Sequence, residues 1–255
     1  MAGRLEGRVA IVTGGGHGIG KAYALGLAKE GARVVIAEID SRAGERVATD
    51  LARSGHGAMA VRTDVADRAS VENMARRAAE AYGGIDVLVN NAAIFATIPM
   101  SRKPFDEIDV EEWDRMMAVN LRGTWLACRA VIPHMRRRGY GKIINIGSGT
   151  ALKGSAGRIH YVTSKAGVLG FTRTLAREVG KDGIRVNCVV PGSTLSEEDP
   201  AEDVVGMRTA AAAERALQRV QRPDDLVGAV VFFASADSDF ITGQSLVVDG
   251  GAYMH

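Results

Sequence analysis

The stretch "RVAIVTGGGHGIGKA", residues 8–22, decides how this chain folds. Its first six residues are a β-branched run with almost no polar interruption, which predicts a strand covered on both faces. A glycine-rich turn follows, and after it a helix. Gly14, Gly18 and Gly20 let the chain turn tightly, let a pyrophosphate approach bare backbone, and let the helix pack on the strand with its N–H groups aimed at phosphate. His17 and Ile19 lie in the same turn and are candidate cofactor contacts. The spacing, Gly-x3-Gly-x-Gly, is not the general dinucleotide fingerprint, so its weight comes from the strand before it and the helix after it.

The same alternation continues to the C-terminus. "RVVIA" (33–37), "AMAVR" (58–62), "IDVLVN" (85–90), "KIINIG" (142–147), "IRVNCVV" (184–190) and "SLVVD" (245–249) predict six more strands. Helical patterns of 12 to 25 residues separate them, for instance "SRAGERVATDLARSG" and "DRASVENMARRAAEAYGG". Asp67 starts the second of these and glycines end it. Repeated βαβ units with right-handed crossovers give an α/β fold: one Rossmann-like, doubly wound parallel sheet of about seven strands with helices on both faces. "VEEWDRMMAVNLRGTWLACRAV" reads as one helix, and the Ala-rich "MRTAAAAERALQRV" (207–220) as another. Between the sixth strand and that Ala-rich helix, residues 191–206 read in two ways. They form a cover over a substrate, the segment then running from 191 to 220, or they form a solvated acidic helix start.

The bulk numbers agree with a single domain spanning residues 1–255. Apolar residues make up 46% and charged residues 24%, with 31 glycines. A formal charge of +2 on 32 basic and 30 acidic side chains leaves no electrostatic footprint for nucleic acid or an anionic membrane. The densest basic run, Arg136–Arg138, precedes Gly139 and complements a helix C-terminus. Nothing resembles a cleaved secretion signal, and no eighteen apolar residues run together, so the chain is expected in the cytoplasm. Cys128 and Cys188 stand in apolar contexts and read as reduced and buried. No spacing of Cys, His and carboxylates resembles a zinc site.

Glu38, at the end of the second strand, is placed to accept hydrogen bonds from adenosine ribose hydroxyls and to repel a 2'-phosphate. At about 5 Å and an effective dielectric near 20, each unit of like charge costs roughly 3 kcal/mol, about a hundredfold in affinity. NAD is therefore expected over NADP, although His17 and Arg42 can partly accommodate a phosphate. Further along, "HYVTSK" (160–165) opens a helix with Tyr161 and Lys165 one turn apart on one face. Taken alone, the pair is an exposed phenol beside a solvated ammonium or a functional couple.

Several strings now combine. "TGGGHGIG", "NNAA" (90–93), Asn120 in "VNLRG", Ser148 in "INIGSGT", "YVTSK", "PG" at 191–192 and "TGQSLVVDGG" at the C-terminus together resemble the short-chain dehydrogenase/reductase family, in order and over nearly the whole chain. The resemblance implies reversible hydride transfer between a nicotinamide and a secondary alcohol or ketone, with Tyr161 as general acid/base. A free phenol has a pKa of about 10, some three units from neutrality. An ammonium roughly 5 Å away supplies about 3 kcal/mol toward the phenolate, or about two pKa units. The resemblance also has Lys165 bond the nicotinamide ribose, Ser148 bond the substrate oxygen, and Asn120 anchor a proton-relay water. It sets Asp64 and Val65 around adenine and Asn91 on the cofactor floor, and it brings Pro191, Gly192 and Thr194 to the cofactor. Where the family usually ends "NNAG" with glycine, this chain has Ala93.

Candidate substrate walls are Ile94, Phe95, Ala96, Thr150, Lys153, Ile159, His160 and Ser193, beside Ser148 and Tyr161. They are mostly apolar and suit a medium-sized secondary alcohol. The resemblance further implies a homotetramer built through helices around 111–137 and 158–179 and the C-terminal strand. Two rivals stand beside this reading: an NADP-linked 3-oxoacyl reductase, and a catalytically silent nucleotide-binding protein.

Overall fold

The computed structural model describes residues 3–95, 98 and 100–254. Seven strands form one sheet: β1 (Val9–Thr13), β2 (Arg33–Glu38), β3 (Ala58–Arg62), β4 (Val87–Asn90), β5 (Gly141–Ile146), β6 (Ile184–Pro191) and β7 (Ser245–Val248). Their order is β3-β2-β1-β4-β5-β6-β7, and every neighbouring pair is parallel. The order reverses between β1 and β4, which opens a crevice at the carboxyl ends of those strands.

Successive side chains of a strand face opposite ways, so each strand feeds two cores. On one side Val12, Ile36 and Ile144 pack against Tyr23 and Leu27 of α1 (Gly18–Lys29), Val47 and Leu51 of α2 (Ser41–Arg53), and a later helix bearing Leu226 and Val230. On the other side Ile11, Val35 and Ile143 meet Met74 of α3 (Arg68–Tyr82) and a pair of long helices beyond it. Double coverage is why these strands read as unbroken apolar runs. Local signals match as well: Asp67 accepts from the Ala69 N–H at the start of α3, and Gly83 closes it with φ 79°.

Two helical expectations need correction. "VEEWDRMMAVNLRGTWLACRAV" is not one regular helix. It is α4 (Val110–Met117), then a π-helical turn over Ala118–Arg122, then α5 (Gly123–Arg138). The wider turn drops Asn120 into the interior, where its Oδ1 accepts from the Ile94 N–H at 2.8 Å and its Nδ2 donates to Ser164 Oγ at 3.1 Å. After α6 (Thr150–Lys153) and α7 (Ile159–Val179), the Ala-rich helix also shifts. α8 spans Glu202–Ala213 rather than 207–220. Glu202 and Asp203 favour the earlier start through the helix dipole. Past Ala213 the chain leaves the helix because it has tertiary bonds to make: the Leu217 N–H donates to the Gly250 carbonyl at 2.8 Å, and Gln221 bridges to Thr194. The last helix, α9 (Asp224–Ala234), carries Leu226 and Val230. Cys128 and Cys188 are buried and unbridged. No described helix is long and apolar enough to cross a membrane.

Candidate active site

A cleft of about 570 Å³ lies over the β1/β4 crevice. One end is formed by the glycine turn, Glu38, Asp64, Val65 and Asn91, and the other by Phe95, Ser148, Thr150, Lys153, Tyr161, Lys165 and the segment after β6. His17, Ile19, Pro191, Gly192, Ser193 and Thr194 also line it. The sequence-derived set therefore converges, with four departures. His160 is fully buried outside the cleft, its Nε2 bonded to Glu112 Oε1 at 3.1 Å. Ile94 and Ile159 do not reach the cleft, and Asn120 lies beneath it. Ala96 falls outside the described residues.

The glycine end fits a dinucleotide. Gly18 has φ 48°, and a Cβ there would sit 2.9 Å from the Ser196 carbonyl oxygen, so this position requires glycine. A Cβ on Gly20 would run into the Gly14 carbonyl and Asn91 Nδ2. Asn91 Nδ2 ties the turn down by donating to the carbonyls of Thr13 and Gly14, both at 3.0 Å. His17 gives α1 no side-chain cap and the first turn carries no acid, so this helix N-terminus, whose Gly18, Ile19 and Gly20 line the cleft, suits an anion. Glu38 is 8% exposed; its Oε2 accepts from the Gly16 N–H at 3.0 Å and its Oε1 from the Ile39 N–H at 2.8 Å. These bonds fix a carboxylate at the end of β2.

At the other end Tyr161 and Lys165 are 6% and 4% exposed, so neither is a solvated surface group. Burial raises the Tyr161 phenol above its ordinary range, opposed by the Ser148 hydroxyl and by the positive fields of Arg158 and Arg208. The sequence argument assigned that tuning to Lys165. Here its ammonium instead donates to the Ile146 carbonyl at 2.8 Å, and burial pushes it down to about 8. The Ser148 hydroxyl shares a 2.9 Å hydrogen bond with Thr150 Oγ1. The Phe95 ring lies 5.1 Å from that of Tyr161.

Sequence reasoning missed the basic lining. Arg158, Met207, Arg208 and Tyr253 also face the cleft. Arg208 donates to Ser193 Oγ at 3.2 Å and to Glu197 Oε1 at 3.1 Å, tying α8 to the loop after β6. Lys21 Nζ meets Glu198 Oε1 at 2.9 Å, holding the same segment near α1. Arg158 stands three residues ahead of Tyr161, a placement visible in the sequence; Arg208 approaches only through the fold of α8.

Known proteins resemble this chain over nearly its whole length. A family model described as enoyl-(acyl carrier protein) reductase matches residues 14–253. Galactitol 2-dehydrogenase of Agrobacterium fabrum is 39% identical over 263 residues, covering 98% of this chain and 99% of that protein. A 3-oxoacyl-(acyl-carrier-protein) reductase of Vibrio cholerae is 38% identical over 250 residues, covering 98% and 99%. A crystal structure from Sinorhizobium meliloti 1021, assigned to the short-chain alcohol dehydrogenases, superposes with a TM-score of 0.90 at 31% identity and covers 97% of both chains. Matched by the family model over residues 14–253 and by relatives 38% and 39% identical over nearly their whole length, this chain belongs to the short-chain dehydrogenase/reductase family.

Proposed function

We propose that the protein is an NAD-dependent oxidoreductase interconverting a medium-sized secondary alcohol and its ketone. The observation that carries this reading is the buried pair Tyr161 and Lys165 on α7, lining one cleft with Ser148 at the end of β5 and with the glycine turn. A bound nicotinamide would supply the hydride acceptor or donor. Tyr161 Oη takes the proton of the substrate hydroxyl in oxidation and returns it in reduction. Ser148 Oγ donates to the substrate oxygen and holds it against the phenol. Lys165 contributes a positive charge that stabilises oxyanion character as it develops. Gly14, His17, Gly18, Ile19, Gly20, Asp64, Val65, Asn91, Pro191, Gly192 and Thr194 hold the cofactor, and Asn120 supports the floor from below. Trp125 on α5 and Leu246 on β7 are exposed apolar side chains suited to a homotetramer's contacts.

The preference for NAD rests on Glu38, whose two oxygens are fixed by backbone N–H groups. His17 is drawn toward Asp40, its Nε2 3.6 Å from Oδ2, and Arg42 is exposed and absent from the cleft. The second reading, an NADP-linked 3-oxoacyl reductase, draws on the similarity to the Vibrio cholerae protein. Initial rates over a panel of secondary alcohols and ketones with each cofactor separate the two. We expect NAD(H) to be favoured and Glu38→Ala to narrow the ratio by about a hundredfold, the size of one like-charge contact. A wild-type preference for NADP(H) would overturn the cofactor assignment. No turnover anywhere, with NADH still bound tightly, would favour a silent nucleotide-binding protein.

A further inference from the structure

The substrate end of the cleft is not the neutral apolar pocket its sequence suggested. Arg208 is 6% exposed, and its Nε is buried without a partner. A buried guanidinium N–H left unpaired carries a desolvation cost that a bound acceptor would remove. Arg158 lines the same cleft half-buried, and its side chain makes no hydrogen bond or ion pair among the described residues. Burial and the neighbouring charges of Arg102 and Arg208 push Arg158 below its ordinary pKa range, so cations crowd one another here. The carboxylate in contact is Glu197, which takes one end of Arg208 at 3.1 Å. Glu214 is exposed, and Lys153 rests its Nζ 4.9 Å from the Tyr253 ring centroid. Arg215 also lines the cleft, buried with its Nη groups on the Ser193 and Arg219 carbonyls, so the guanidiniums here outnumber the carboxylate that meets them and the wall suits an anion.

Resting on the alcohol/ketone reading above, we propose that the substrate carries a carboxylate, received by Arg158 and the free Nε of Arg208 while its carbinol or carbonyl carbon lies at Tyr161. Phe95 supplies the apolar wall between them: its ring lies 5.1 Å from that of Tyr161 and 5.8 Å from the Arg208 guanidinium carbon. Arg158 is thus a specificity-determining residue, and its planar fork is matched to a carboxylate in a way an ammonium is not.

The test uses matched pairs: 4-oxopentanoate, 5-oxohexanoate and 4-oxocyclohexanecarboxylate, each beside its methyl ester, with NADH. For at least one pair the wild type should favour the acid in kcat/KM by about 10- to 100-fold, the range of a charge-assisted hydrogen bond. Arg158→Met should bring that acid-to-ester ratio to within about threefold of one, and Arg158→Lys should retain an intermediate ratio. A purely structural arginine would lower both rates and leave the ratio intact, which overturns the proposal. So does a wild type that turns over esters as well as acids, an outcome that leaves the oxidoreductase reading standing. If no compound of the panel turns over, the wider panel of alcohols and ketones with each cofactor decides the oxidoreductase reading. Calorimetric titration of the NAD-loaded protein with cyclohexanecarboxylate and cyclohexanecarboxamide then decides the carboxylate site. Tighter binding of the acid that Arg158→Met removes supports it, and equal binding of acid and amide overturns it.

Discussion

Tyr161→Phe is expected to lower kcat by about 10³-fold, within the range that a positioned acid/base contributes. The substitution deletes one hydroxyl and keeps the ring that stacks 5.1 Å from Phe95, so the fold and NADH affinity should persist. Fluorescence titration of NADH on the variant, beside stopped-flow rates, separates lost chemistry from lost binding. Burial holds the phenol above its ordinary range, so the wild-type oxidation rate should climb with pH as more phenolate forms. The variant should show no such climb. A variant retaining more than about a tenth of the wild-type rate would remove Tyr161 from the chemistry.

Lys165→Met should divide activity and stability. Loss of a fixed positive charge beside a developing oxyanion is expected to cost about 10²-fold or more in kcat. Stability moves the other way. The fall of the Lys165 pKa from 10.5 to about 8 corresponds to roughly 3 kcal/mol of folding free energy surrendered below pH 8. Between pH 8 and 10.5 the unfolded chain keeps a proton that the folded chain has released, so wild-type stability should rise with pH across that window. Methionine fills similar space without the charge, at the expense of the hydrogen bond to the Ile146 carbonyl. At pH 7 the cofactor-free variant should therefore melt higher by about 3 to 6 °C, a net gain of about 1 to 2 kcal/mol. Thermal scans of both proteins from pH 6 to 10.5 give the comparison. A variant that melts lower at pH 7 and follows the same slope would refute the charge penalty.

What sequence made legible, and what it hid, follows from how each signal is written in the chain. Doubly covered strands print themselves as runs such as "KIINI", and a turn that needs positive φ at Gly14 and Gly18 prints glycine. The π-helical turn at 118–122 leaves a fainter mark, an asparagine inside a helical pattern, because one extra residue per turn barely disturbs a 3.6-residue period. The basic wall was harder still. Arg208 reaches the cleft only because α8 begins at Glu202 and stops at Ala213, and helix propensity alone would have run it to residue 220. His160 drew attention as a polar neighbour of Tyr161, yet adjacent positions on a helix point some 100° apart, and its ring turns inward to Glu112.

Arg158 stands immediately before α7, and Tyr161 and Lys165 follow at successive turns of that helix. A helix is stiff over so short a span, so its backbone holds the three positions at a constant mutual offset. On the proposed assignment the enzyme measures its substrates with a built-in gauge. The distance between acid group and carbonyl selects which compounds react.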